Sequence, residues 1–166
     1  MITPAYCQTM AAYNAWQNKS VQRCVAALSQ EDLTKDRGAF FGSIFGTINH
    51  LLWADHFWLS NFGAMPAPGG SISESTALKA SVADWAADRV RLDATIVEWA
   101  RKLTALDLTG EVTWFSATVQ REMSMEKAKA VAHFFNHQTH HRGQVHAMLT
   151  AAGQNPDRTD LPFMPE

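Results

Sequence analysis

Residues 125–153, MEKAKAVAHFFNHQTHHRGQVHAMLTAAG, read as one long helix that stops at Gly153, with Ser124 as its cap and Glu126 suited to its positive end. Five of the seven histidines in the chain (His133, His137, His140, His141 and His146) fall within fourteen residues of this stretch, where even scattering would place roughly 0.6. At about 100° per residue, His137 and His141 stand only ~40° apart around the helix and one turn along it. Their imidazoles can converge on one ion, the spacing used by H-x-x-x-H zinc sites. His133 and His137 are also four apart, and His140 is one turn from His137 on its other side, so spacing alone leaves the ligand choice open. His146, about 180° round from His137, is expected at the surface.

Two ligands on one helix make a weak site, and a third must come from a neighbouring helix. His50, in INHLLWADHFWL, is the best candidate. It lies in an apolar stripe with Ile44, Ile48, Leu51 and Leu52, where a histidine costs free energy unless a metal or a hydrogen bond satisfies its ring nitrogens. His56 is six residues on, about 120° round, and should face elsewhere.

Thr3 and Pro4 open a first helix with a stripe of Tyr6, Met10, Tyr13, Trp16, Cys24 and Leu28. Residues 29–42 read as a loop whose phenylalanines fold back onto the core, and Ser43 caps a deeply buried second helix running to about Phe62. After the Pro- and Gly-rich loop 63–73, a third helix is expected from about Glu74 to Leu103, with Leu78, Val82, Trp85, Val90, Leu92, Ile96 and Trp99 inside. Between Thr104 and Ser124 the β-branched and aromatic residues around a small-residue turn suit a short hairpin. The tail after Gly153 is expected to pack by Leu161 and Phe163. The pattern predicts an all-α fold: one four-helix bundle spanning 1–166, up-and-down or crossover, with a hairpin-like excursion between the third and fourth helices.

The 166 residues, 46% hydrophobic, suffice for one core. A net charge of -2, with 14 basic residues scattered against 16 acidic, argues against nucleic acid as a partner. Apolar runs fall short of the ~20 residues that span a bilayer, and the opening MITPAYCQTM lacks the layout of a signal peptide, so a cytoplasmic protein without membrane partners is expected. Cys7 and Cys24, on one helix, stand roughly 25 Å apart at about 1.5 Å per residue. They cannot pair with each other, and each reads as a small buried apolar residue.

The segments INHLLWADHFW and NHQTHHRGQVHAMLTAAG, with YNAWQN (Tyr13 to Asn18) and FGSIFGTINHLLWAD, resemble the DinB family of DinB/YfiT-like metalloenzymes over nearly the whole chain. The H-x-x-x-H-R-G-Q motif is the most specific part. The resemblance implies that His50, His137 and His141 are the metal ligands. It also implies a four-helix bundle, commonly a homodimer, with relatives that are metal-dependent hydrolases or transferases acting with low-molecular-weight thiols.

Three neutral imidazoles leave a divalent ion its full charge and an open position, the arrangement of catalytic zinc sites. Zinc or nickel come first, with iron, manganese and copper also suited to imidazole. The expected partner is a small-molecule substrate, and the resemblance makes a low-molecular-weight thiol a candidate. A base for hydrolysis could come from Asp55, Glu111 or Glu122, although Asp55 reads better as a partner for an arginine such as Arg142. Gln138 points about 100° away from the ligands, Gly143 suggests close helix packing, and the tryptophans, Trp53, Trp85 and Trp99 among them, suggest core. The alternative is a non-catalytic stress-response or structural bundle in which the metal stabilises the fold.

Overall fold

A computed structural model of the chain describes residues 2–165. Its elements in order are α1 (Pro4–Ala26), the short α2 (Gln30–Thr34), α3 (Ile44–Asn61), α4 (Val82–Lys102), the strands β1 (Glu111–Ser116) and β2 (Arg121–Glu126), and α5 (Lys127–Ala151). Side chains begin three of the long helices: Thr3 Oγ1 accepts from Tyr6 N at 3.2 Å, Ser43 Oγ from Gly46 N at 3.0 Å and Ser81 Oγ from Asp84 N at 3.1 Å. Each such cap contributes about 1 kcal/mol by satisfying an otherwise orphaned amide.

Helices α1 and α3 each pack against both α4 and α5, so these consecutive long helices sit on a diagonal of the bundle. The connection that makes this crossing possible is the segment holding α2 and residues 35–43. Ile44, Ile48, Leu59, Trp85, Ile96, Phe134, Phe135 and Leu149 fill the centre, each contributing roughly 1.5–3 kcal/mol by burial. No helix among the described residues is long and apolar enough to cross a membrane.

Two helix starts differ from the sequence reading. The third long helix begins at Val82 rather than near Glu74, and residues Ile72–Ala77 form a separate 3-10 turn. The reason is Asn49: its Nδ2 donates to Lys79 O at 3.2 Å and its Oδ1 accepts from Lys79 N at 3.1 Å. That clamp ties backbone groups of the connecting segment to α3 and takes them out of a helical ladder. The fourth long helix begins at Lys127, because strand pairing persists to Glu111 opposite Glu126. Ser124 is therefore a strand residue opposite Thr113, not a cap, and the Lys127 amide is satisfied by Gly110 O at 2.9 Å. The hairpin itself is where the change of period placed it.

The buried faces of α1 and α4 are more polar than their apolar stripes suggest. Asn14, Gln17, Asn18 and Ser20 of α1 are buried while Trp16 is only half-buried; α4 buries Arg89 and Asp93 and leaves Val90 55% exposed. Asn14, Asn18, Arg89 and Asp93 meet in the bundle centre. Arg89 Nη1 donates to Asp55 Oδ2 at 2.7 Å and its Nη2 lies 2.8 Å from Asp93 Oδ1. Asn14 and Asn18 donate to Asp93 at 3.1 and 2.9 Å, Gln138 Nε2 donates to Asp55 Oδ1 at 3.0 Å, and Arg142 donates to Asn14 Oδ1. Asp55 thus pairs with Arg89 rather than Arg142, and two carboxylates balance two guanidiniums in a network spanning all four long helices.

The tail is held by polar contacts, with Leu161 and Phe163 46% and 53% exposed. Tyr13 donates its hydroxyl to Thr159 O at 2.7 Å, Gln17 donates to Arg158 O at 3.0 Å, and Ser20 Oγ accepts from Asp157 N at 2.7 Å. Gly143 does not serve close packing, since a Cβ there would meet nothing within 4 Å. Cys7 and Cys24 are buried and free, and burial pushes the Cys7 thiol up to about 11.

Candidate metal centre

Helix α5 presents His137 and His141 one turn apart, and the packing of α3 against α5 brings His50 to them. One nitrogen from each of the three imidazoles lies within 4.8 Å of the other two. His50 Nε2 and His137 Nε2 are 3.3 Å apart. An ion held tetrahedrally at about 2.0–2.1 Å from its nitrogens sets neighbouring ligand atoms about 3.3–3.4 Å from each other. The residues present therefore fit a divalent ion without rearrangement of this pair.

Their protonation suits the same purpose. Burial, reinforced by the facing imidazoles, holds His50 down to about 4 and His137 down to about 3. Burial also lowers His141, against the pull of its hydrogen bond to Gln144. At neutral pH the rings are uncharged and keep a lone pair for an ion.

Two partners orient those lone pairs. Ser75 Oγ donates to Ile72 O at 2.7 Å, so toward His50 Nδ1, 3.0 Å away, it acts as acceptor. His50 therefore carries its proton on Nδ1 and turns a bare Nε2 to His137. His141 Nδ1 lies 2.7 Å from Gln144 Oε1, which can only accept, and this leaves the lone pair of His141 on Nε2. Asn49 supports the arrangement from behind, because its clamp on Lys79 anchors the segment that carries Ser75.

Aromatic groups flank the cluster on two sides. Phe41, from the loop before α3, stacks on His50 with ring centroids 3.9 Å apart and lies 5.2 Å from His141. Of the loop's phenylalanines it is the one that folds inward, while Phe40 is 81% exposed. On another side, His50 and His137 open on a cavity of about 220 Å³ bounded by Trp53, Phe57, Trp58, Trp114 and His133. Trp53 is thus both buried and a cavity wall, whereas Trp85 belongs to the core and donates its indole N–H to Ile48 O at 3.0 Å.

The other histidines separate from the triad. His133 is at the cavity, 5.7 Å from His137 between ring centroids. His140 is exposed beside Gln144, His56 lies 3.0 Å from Pro66 O, and His146 is half-buried rather than on the open surface. Of the candidate bases, Asp55 is committed to Arg89 and Gln138; Glu111 and Glu122 are exposed on the hairpin and do not line the cavity.

Ser75, Phe41 and Asn49 were not singled out from the sequence, and Gln144 entered only as the last residue of the H-x-x-x-H-R-G-Q motif, without a role. Gln144 had a readable signal, since it stands three residues after His141 on the same helix and can reach it. Ser75 and Phe41 come from connecting segments without periodicity, and only the tertiary fold brings them to His50.

Comparison with known proteins identifies a family and a fold. A description of the DinB family matches residues 1–166. Protein DinB of Bacillus subtilis (strain 168) is 23% identical over 157 residues, covering 89% of this chain and 87% of that protein. Among solved structures, a DinB-like protein from Bacillus cereus ATCC 10987 superposes with a TM-score of 0.64 at 22% identity, over 86% of this chain and 90% of that one. YfiT from Bacillus subtilis, described as a probable metal-dependent hydrolase with an unusual four-helix bundle topology, gives a TM-score of 0.67 at 13% identity, over 93% of this chain and 92% of that one.

Proposed function

The chain belongs to the DinB family, and from that premise we propose that it binds one divalent metal ion through His50, His137 and His141 and acts on a small molecule as a hydrolase or thiol transferase. The observation that carries this reading is the convergence of three uncharged imidazoles, two of them with tautomers set by Ser75 and Gln144, beside an aromatic cavity. The description of YfiT as a probable metal-dependent hydrolase points the same way. Zinc or nickel is the ion of choice for such a ligand set, and the two unpaired thiols suit a reducing cytoplasm.

An ion with three imidazole ligands supplies Lewis-acid polarisation to whatever small molecule takes its open position. The protein's own residues do the rest. Ser75 and Gln144 hold His50 and His141 in one tautomer, so each keeps its lone pair on Nε2 for an ion. Phe41 covers His50 and keeps water from that ring face. Within the cavity wall, His133 is the titratable side chain outside the triad, and burial lowers its pKa, so its neutral ring can accept a proton from a bound molecule.

The test is elemental mass spectrometry on untagged wild type and His137→Ala, followed by spectroscopy of cobalt-substituted protein titrated with small thiols. One equivalent in wild type and near none in the variant is expected. A thiol-induced change in the cobalt spectrum supports a thiol-handling site, and indifference to thiols favours hydrolysis or a structural role for the metal. Wild type without metal would overturn the proposal.

A further inference from the structure

The cavity beside the triad has a chemical character of its own. Its walls are Trp53, Phe57, Trp58, Trp114, Phe115 and Ile72, closed by Ala54, the strand end Ser116 and the hairpin turn residues Ala117 and Thr118, with His50, His137, His133 and the hydroxyls of Ser116 and Thr118 as the polar groups. No lysine, arginine, aspartate or glutamate lines it. The volume, about 220 Å³, exceeds the roughly 150 Å³ in which an apolar cavity holds benzene. The rings are already placed relative to one another: Trp53 and Phe57 stack at 5.2 Å, and Trp58 meets Trp114 edge-on at 5.1 Å and His133 edge-on at 5.2 Å.

From this lining we infer that the substrate is a small uncharged molecule bearing a single aromatic ring, which the cavity holds with its reactive group turned toward His50 and His137. The inference deepens the function proposed above and rests on that reading for the reaction, though not for the binding of the ring.

An apolar, aromatic wall gains by removing a ring from water and by edge and face contacts with it, each worth a fraction of the whole and all independent of charge. A thiol carrying carboxylates and an ammonium group, such as a peptide thiol, would bring several charges against a wall whose side chains offer no counter-charge, with only the proposed ion at one end to meet them. His133 stands where a carbonyl or amide of the bound molecule would find a hydrogen-bonding group beside the Trp58 ring. The hairpin supplies Trp114 and the turn residues, which gives this excursion from the helical bundle a role: it completes the far wall of the cavity.

The experiment is a titration of the full chain, as isolated and after chelator treatment, with acetanilide and with S-methylglutathione. The readout is the indole N–H resonances of the six tryptophans. Acetanilide should move the signals of Trp53, Trp58 and Trp114 and leave Trp16, Trp85 and Trp99 in place, with a Kd at least tenfold below that of S-methylglutathione. Trp114→Ala, and Ala117→Asp at an exposed turn position that leaves the bundle untouched, should each weaken acetanilide at least fivefold. Equal binding of the two probes, or acetanilide shifts spread over Trp16, Trp85 and Trp99, would overturn the inference. Metal analysis on the same samples separates the two claims. Stoichiometric metal without selective ring binding sinks the inference alone, and ring binding in a protein that takes up no metal sinks the proposed function alone.

Discussion

His50 Nδ1 and Ser75 Oγ meet at 3.0 Å, and because the serine spends its proton on Ile72 O the imidazole has to be the donor. Removing the hydroxyl leaves a buried N–H without acceptor and frees the ring to turn or change tautomer. Ser75→Ala is expected to weaken metal binding about 10- to 100-fold, the usual effect of losing such a support, with the far-UV spectrum of the bundle unchanged. Ser75→Thr, which keeps the acceptor, should stay near wild type. Competition with a chelating dye measures both, and an unaltered affinity in Ser75→Ala would show that the serine does not orient the ligand.

Removing the ion should also loosen the bundle, since His50 belongs to α3 and His137 and His141 to α5. Metal at a hundredfold excess over its Kd adds about 2.7 kcal/mol, or a shift of roughly 5–10 °C in Tm for a domain of this size. Calorimetry with and without chelator is expected to show that loss in wild type and none in His137→Ala.

The buried charges have the largest stake in stability. Arg89, 2% exposed, is the common partner of Asp55 and Asp93. Arg89→Met would leave two buried carboxylates against one remaining guanidinium, Arg142, and should cost about 3–5 kcal/mol in urea denaturation. Adding Asp55→Asn to Arg89→Met should recover part of that loss, because it removes one of the stranded charges. A single variant within 1 kcal/mol of wild type, about the effect of an exposed pair, would contradict the network as described.

Whether these features were legible in advance depended on where each residue stands. The triad was, because H-x-x-x-H on a helix and a histidine in an apolar stripe are periodic signals, and family resemblance selected among the five clustered histidines. The hairpin was also legible, from the change of period after Thr104. The buried polar face of α1 was not: Asn14 and Asn18 look like solvent residues until Arg89 and Asp93 of α4 are known to face them. Nor could Asn49 be read as the residue that delays α4, since its partner Lys79 is thirty residues away and bonds through its backbone.

Acid should act on the metal-free protein through the triad. The unfolded chain protonates these imidazoles near 6.5, whereas folded His50 and His137 do so only near about 4 and about 3. From pH 6.5 down to about 4 for His50 and about 3 for His137 the unfolded state holds the extra protons, so stability falls as pH falls through that window and gains nothing from these groups above it. Urea titrations of chelator-treated wild type and His137→Asn across this range should diverge, with the variant less sensitive to acid. Parallel curves would mean that His137 carries no burial penalty in the folded chain.

On α5, each histidine of the triad is followed directly by an anchor: Gln138 after His137 binds Asp55, and Arg142 after His141 binds Asn14. Neighbouring positions differ by about 100° in direction, so the helix reads like a two-track tape whose tracks share one phase. A single residue inserted between Gln138 and His141 would swing everything beyond it by that angle, carrying histidine toward the anchors and arginine out of them. The phase of this one helix is therefore a setting that drift in length cannot touch, and lengthening is open only to the segments before and after it.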